Sequence, residues 1–146
     1  MRKSKILITL LLLFVAVPIL MGMSSLQGQG APEKIPIPAK KFTATFVDQM
    51  DIVTECSDVS VEGGTFIEGK RGDGNNTISF DLIDNILLTM NADKLTGIVK
   101  LRDGSTVELV LKKDQKTYGY TRYGTFQIRL ADLKKIIIAK SSQKKS

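Results

Sequence analysis

The chain has 146 residues, with 21 Lys+Arg against 15 Asp+Glu, one cysteine and neither histidine nor tryptophan. That is room for one domain plus a targeting segment. Without histidine there is no Ser-His-Asp or Cys-His relay and no imidazole ligand, and a single cysteine excludes an intrachain disulfide and any zinc site built on several thiolates.

At the N-terminus Arg2, Lys3 and Lys5 precede a run from Ile6 to Met21 that is apolar apart from Thr9 and Pro18, and small and polar residues follow. This is the layout of a secretory signal over residues 1–30, and it predicts a periplasmic or secreted protein. An uncleaved anchor is the alternative, although a span needs ~20 apolar residues and this run is shorter and interrupted by proline. Removal of residues 1–30 takes away three basic side chains and no acid, leaving 18 against 15. Lys140, Lys144 and Lys145 lie in a polar tail over 140–146, so the body between is near neutrality and no nucleic-acid partner is expected. Membrane contact is expected only through an uncleaved N-terminus or weakly through the tail.

Residues 31–41 contain three prolines and read as an extended linker. From 42 to 139 the pattern is strand. Phe42, Ala44 and Phe46 alternate with threonines; Val59 and Val61 precede Gly63-Gly64; Val99 and Leu101 precede Asp103-Gly104, after which Val107, Leu109 and Leu111 continue the alternation. Period two around Gly-Gly or Asp-Gly predicts two hairpins, and helix is confined to a turn near Leu82-Ile83-Asp84 or Ala131-Asp132-Leu133.

The hairpins match each other at a spacing of 40, Val59 with Val99 and Ile67 with Val107, and the segments after them match at 50, Ile78 with Ile128 and Ile86 with Ile136. The difference places ten additional residues around Lys112 to Gly124, enough for an extra hairpin arm. The expected fold is therefore all-β: two similar antiparallel modules, about 57–89 and 97–139, forming a small sandwich or a partly closed barrel behind a signal-peptide helix and the Pro-rich arm. Ile136-Ile137-Ile138 should be a strand that is central or covered on both sides rather than an open edge.

Val99 to Glu108, then Thr121-Arg122-Tyr123-Gly124-Thr125, then Leu133-Lys134-Lys135-Ile136 together resemble a small envelope β module. That module, with a Leu-Lys-(Asp/Asn)-Gly strand end, a Thr-x-Tyr-Gly turn and an Ile-x-x-Ile closing strand, occurs ahead of the barrel in salt-induced outer-membrane proteins and alone in secreted bacterial proteins. Val61 to Gly69 is similar to it too. The resemblance implies fold and a bacterial envelope or secreted location, and no chemistry. Leu109 departs from it by standing where the module carries the glycine that Gly69 provides, and no membrane-barrel sequence follows.

Arg71-Gly72-Asp73 reads as a polar turn as well as an adhesion tripeptide. Asp73, Asn75 and Asn76 lack the spacing of a calcium loop, and no cofactor or metal is expected. Cys56 lies between acids with no base nearby, which favours an inert or intermolecularly paired thiol. Glu55, Asp58, Glu62 and Glu68 are the carboxylates a hydrolase would have to use, and strand alternation puts Asp58, Glu62 and Glu68 among solvent-side positions. Tyr118, Tyr120, Arg122 and Tyr123 form the one aromatic and basic cluster, suited to binding an unknown protein or envelope component, or simply covering the core. The expected function is a non-enzymatic binding module. The alternatives are an envelope accessory that pairs through an exposed strand such as Phe42 to Phe46, or a hydrolase using acidic residues; Lys140, Lys144 and Lys145 are candidates for contact with an anionic surface.

Overall fold

The computed structural model describes residues 34–140. The predicted signal segment, most of its junction with the Pro-rich arm, and Lys144 and Lys145 lie outside the described residues. Ten strands follow one another: β1 (Ala44–Asp48), β2 (Val53–Val61), β3 (Phe66–Arg71), β4 (Gly74–Ser79), β5 (Ile83–Asn91), β6 (Lys94–Leu101), β7 (Thr106–Leu111), β8 (Lys116–Thr121), β9 (Gly124–Arg129) and β10 (Leu133–Ile138). Single 3-10 turns at Phe80–Leu82 and Leu130–Asp132 precede β5 and β10, close to where short helical turns are predicted.

The strands form one antiparallel sheet in the order β4-β3-β7-β6-β5-β10-β1-β2-β8-β9, curled into a half-barrel. Of the two architectures open from the sequence, the sheet is thus the partly closed barrel. Period-two alternation sends Leu95 and Val99 of β6, Leu109 and Leu111 of β7, and Ile136 and Ile138 of β10 into a single core, because successive strand side chains point to opposite faces. β10 is central as expected, paired with β5 and β1. Its outward residue Ile137 is 37% exposed, so the second face of this strand is open to solvent.

The order is symmetric about the centre. Outward from β5 run β6, β7, β3 and β4; outward from β10 run β1, β2, β8 and β9. Ile86 pairs with Ile136 at the midpoint. Backbone hydrogen bonds recur with it: Asp48 N–H donates to Ile52 O, Asp51 to Asp48 O and Gln49 to Asp132 O, while Leu101 donates to Ser105 O, Gly104 to Leu101 O and Arg102 to Leu82 O. Asp51 and Gly104 hold the same turn position, both left-handed at φ 62° and 91°.

Three expectations are corrected. The hairpin through Asp103-Gly104 forms, joining β6 and β7 in register from Leu95–Leu111 to Lys100–Thr106, but that through Gly63-Gly64 does not. There a Val61–Gly64 bridge closes the turn and pairing between β2 and β3 goes no further, because Glu62 and Gly63, at φ 50° and 85°, turn a corner where β2 already has β8 along one edge from Ser57 to Val61 and Phe42 O accepting from the Val59 N–H on the other. The 40-residue matching of Ile67 with Val107 fails for a related reason: β3 and β7 are neighbours, and the strand in β3's place on the far side is β8, 50 residues on. Leu109 accordingly packs against Gly69 and does not replace it. The segment Phe42 to Phe46 is also no free edge, since β1 lies between β10 and β2 with Phe42, Ala44 and Phe46 buried.

Candidate interaction groove at the β8–β9 turn

Alternation in β8 turns Thr117 and Gly119 inward and leaves Tyr118 and Tyr120 half-buried on the outer face. Tyr118 stands opposite Ser60 and Gln127, and Tyr120 opposite Ser57 and Thr125. Arg122 and Tyr123 form the tight turn to β9. Thr121 Oγ1 accepts from the Tyr123 N–H at 3.1 Å and donates to Gly124 O at 3.2 Å, fixing a turn whose exit needs the positive φ of Gly124, 140°. Tyr123 is 82% exposed. The Arg122 guanidinium lies 4.8 Å from its ring centroid and donates from Nη2 to its hydroxyl, a cation–π pair that holds both side chains out from the sheet.

Beside this turn β2 outruns its partner. β8 pairs with β2 between Ser57 and Val61 only, the register shifting at a bulge that contains Asp58, so Val53 to Cys56 have β1 on one side and no strand on the other. The gap is a groove of about 790 Å³ lined by Val53, Thr54, Glu55, Thr121, Arg122, Tyr123, Thr125 and Phe126. The Phe126 ring stacks on Phe46 of β1, 5.8 Å between centroids at 20°, tying the groove wall to the core. Glu55 and Arg122 line it with opposite charges, and among the described residues neither takes part in an ion pair. The β1–β2 loop extends the rim: Asp48 Oδ1 accepts from the N–H groups of Met50 and Ile52, and Met50, Ile52 and Val53 stand exposed.

Of the four aromatic and basic residues singled out from sequence, Arg122 and Tyr123 therefore share the groove, whereas Tyr118 and Tyr120 sit on the outer face next to it. Lys140 lies at the opposite end of β10, past the Ala44–Ile138 pair, where Arg102 Nη2 donates to Ile138 O and Ala139 O. Sequence reasoning missed Met50, Ile52, Val53 and Phe126. The signal for the loop residues was three apolar side chains around Asp51 in a segment without strand alternation.

The remaining candidates have other surroundings. Arg71, Gly72 and Asp73 make the exposed β3–β4 turn, and no cluster of three His, Cys, Asp or Glu suited to a metal occurs among the described residues. Glu62 uses its carboxylate as a clasp, Oε1 accepting from Lys116 N–H at 2.6 Å while its own N–H donates to Lys116 O. Cys56 is free and 1% exposed, and burial pushes its thiol from 9.0 up to about 11, so the thiolate needed for nucleophilic attack is scarce at neutral pH.

A family model described as an uncharacterised protein matches residues 38–141. No curated protein and no solved structure matches the chain.

Proposed function

The chain belongs to the family of uncharacterised proteins whose model spans its sheet, and we propose that it is a non-enzymatic binding module, secreted or periplasmic, which engages its partner through the groove and the Arg122–Tyr123 turn. What supports this is a comparison internal to the molecule, with the two halves of the sheet taken as copies of one module. At a spacing of 50, Tyr118, Tyr120, Arg122, Tyr123 and Phe126 fall on Glu68, Lys70, Gly72, Asp73 and Asn76. At 53, the spacing set by the turn hydrogen bonds, Met50, Ile52 and Val53 fall on Asp103, Ser105 and Thr106. The same turns form on one side with polar residues and on the other with the exposed Arg122, Tyr123, Met50, Ile52 and Val53, whereas Tyr118, Tyr120 and Phe126 are half-buried. Forming these turns therefore does not require the exposed set, and Tyr and Arg are the residues that most often dominate binding energy.

The test copies one turn onto the other. Arg122→Gly with Tyr123→Asp should leave urea unfolding within about 0.5 kcal/mol and abolish retention of the protein on a Gram-negative envelope fraction. Loss of the fold would mean that the pair is structural, and undiminished retention would move the binding surface elsewhere.

A second reading, an accessory that pairs through an exposed strand, moves from the Phe42 to Phe46 arm to β4. This edge strand, Gly-Asn-Asn-Thr-Ile-Ser, has neither the charge nor the proline that usually guards an edge. Thr77→Lys and Ile78→Lys should then dissolve any self-assembly seen by sedimentation.

A further inference from the structure

We infer that the occupant of the groove is an extended polypeptide segment that pairs main chain to main chain with Val53 to Cys56; this rests on the binding reading above and names its partner class. In an antiparallel ladder successive residues direct their N–H and C=O groups to alternate sides. Over Val53 to Cys56 one side is satisfied by β1, in the register Val47–Val53 to Ala44–Cys56. The other side faces the groove with no strand against it, because β8 begins its pairing only at Ser57. A vacant row of main-chain donors and acceptors is what an added strand completes, and pockets for alternate side chains then supply selectivity.

The flanking chemistry fits such a segment better than a compact ligand. Phe126, which faces inward opposite Gly119 and stacks on Phe46, offers apolar contact to alternate side chains on the inner face of the added strand, and Val53 lies with Glu55 on its outer face. Glu55, unpaired among the described residues, selects for a lysine or arginine opposite it, as cross-strand charge pairs do. Arg122, held by its own tyrosine neighbour, closes the far wall with the opposite sign. The β1–β2 loop and the β8–β9 turn stand at the same end of the sheet, so the segment enters along β2 without displacing any strand.

The experiment uses the full chain and acetylated, amidated hexapeptides that alternate valine with polar residues, the central polar residue being Lys, Thr or Glu. Amide shifts in nuclear magnetic resonance should be confined to Val53–Cys56 and Thr121–Phe126. The Lys peptide should bind several-fold more tightly than the Glu peptide, with the order reversed by Glu55→Lys. Methylation of the peptide nitrogens that face β2 should weaken binding by about tenfold or more, whereas methylation of the alternate nitrogens should change it little. Equal loss from both methylation patterns would overturn main-chain pairing, as would no shift from any peptide at about 1 mM. Shifts at the same amides from vesicles of phosphatidylcholine and phosphatidylglycerol, with none from peptides, would assign the surface to lipid instead. If no peptide binds yet Arg122→Gly with Tyr123→Asp still abolishes envelope retention, the binding function stands and the extended segment falls.

Discussion

Gly119 lies against Cys56 so closely that a Cβ on the glycine would stand 2.6 Å from the cysteine Cβ and 3.3 Å from its Sγ. The ladder pair Ser57–Tyr120 lies immediately beside this contact and holds the two backbones close. Gly119→Ala is expected to destabilise the protein by about 1–3 kcal/mol through overpacking, and Gly69→Ala by a similar amount, its Cβ meeting the Leu109 Cβ at 2.8 Å. Gly74→Ala, with only Arg71 O at 3.7 Å, is the near-neutral control. Urea unfolding of the three variants checks the order.

The Cys56 thiol should resist alkylation at pH 8 in the folded protein and react at once in denaturant. Its pKa is raised by burial, from 9.0 to about 11, so the native state holds a proton that the unfolded chain releases between those values. Whatever stability the thiol contributes is complete below pH 9 and is lost as pH rises through 11. The stability difference between wild type and Cys56→Ala should therefore shrink over that window; a difference that grows would reverse the sign.

Replacing Met50 with Asp, Ile52 with Ser and Val53 with Thr copies the Asp103, Ser105 and Thr106 turn. Exposed side chains without packing partners contribute little to stability. Each change is expected to shift unfolding by less than about 0.5 kcal/mol, and the triple variant to lose envelope retention. A cooperative loss of stability on combining them would show that the loop packs on something structural.

Glu62→Ala removes the acceptor of the Lys116 N–H at the corner where β2 ends and β8 begins. A charged acceptor on a backbone donor is worth about 1.5–3 kcal/mol, and solvent at this exposed position brings the expected cost to about 1 kcal/mol. Glu62→Gln should recover part of it. Equal losses in both variants, read by thermal unfolding, would point to charge and not to the hydrogen bond.

Strand alternation made most of the fold readable. The inward sets of β1, β6, β7 and β10 follow from period two alone, and so does the hairpin at Asp103-Gly104. What was not readable is which strand each one meets. The β5–β6 hairpin turns at Ala92, left-handed at φ 52° without a glycine, so only Asn91 and Asp93 beside it mark a turn. The corner at Gly63 has the composition of a hairpin, and only the competition for the edges of β2 makes it a corner. At the groove, Arg122 and Tyr123 were legible because a tight turn exposes its residues. Val53 and Glu55 were not, because their free side depends on where β8, some 60 residues later in the chain, starts to pair.

The symmetric sheet order hides an asymmetry of assembly. The half made of β3, β4, β5, β6 and β7 is continuous in the chain, so a ribosome delivers all of its strands before residue 116 is made. The other half takes β8, β9 and β10 from the end and β1 with β2 from the beginning. The N-terminal hairpin therefore waits, its partners unsynthesised, until the last strand emerges, and the groove exists only once that distant closure is complete. Because Ala44 pairs with Ile138, a circular permutant that joins these ends and opens the Glu62–Gly64 corner would make both halves local, and the late step of folding would disappear.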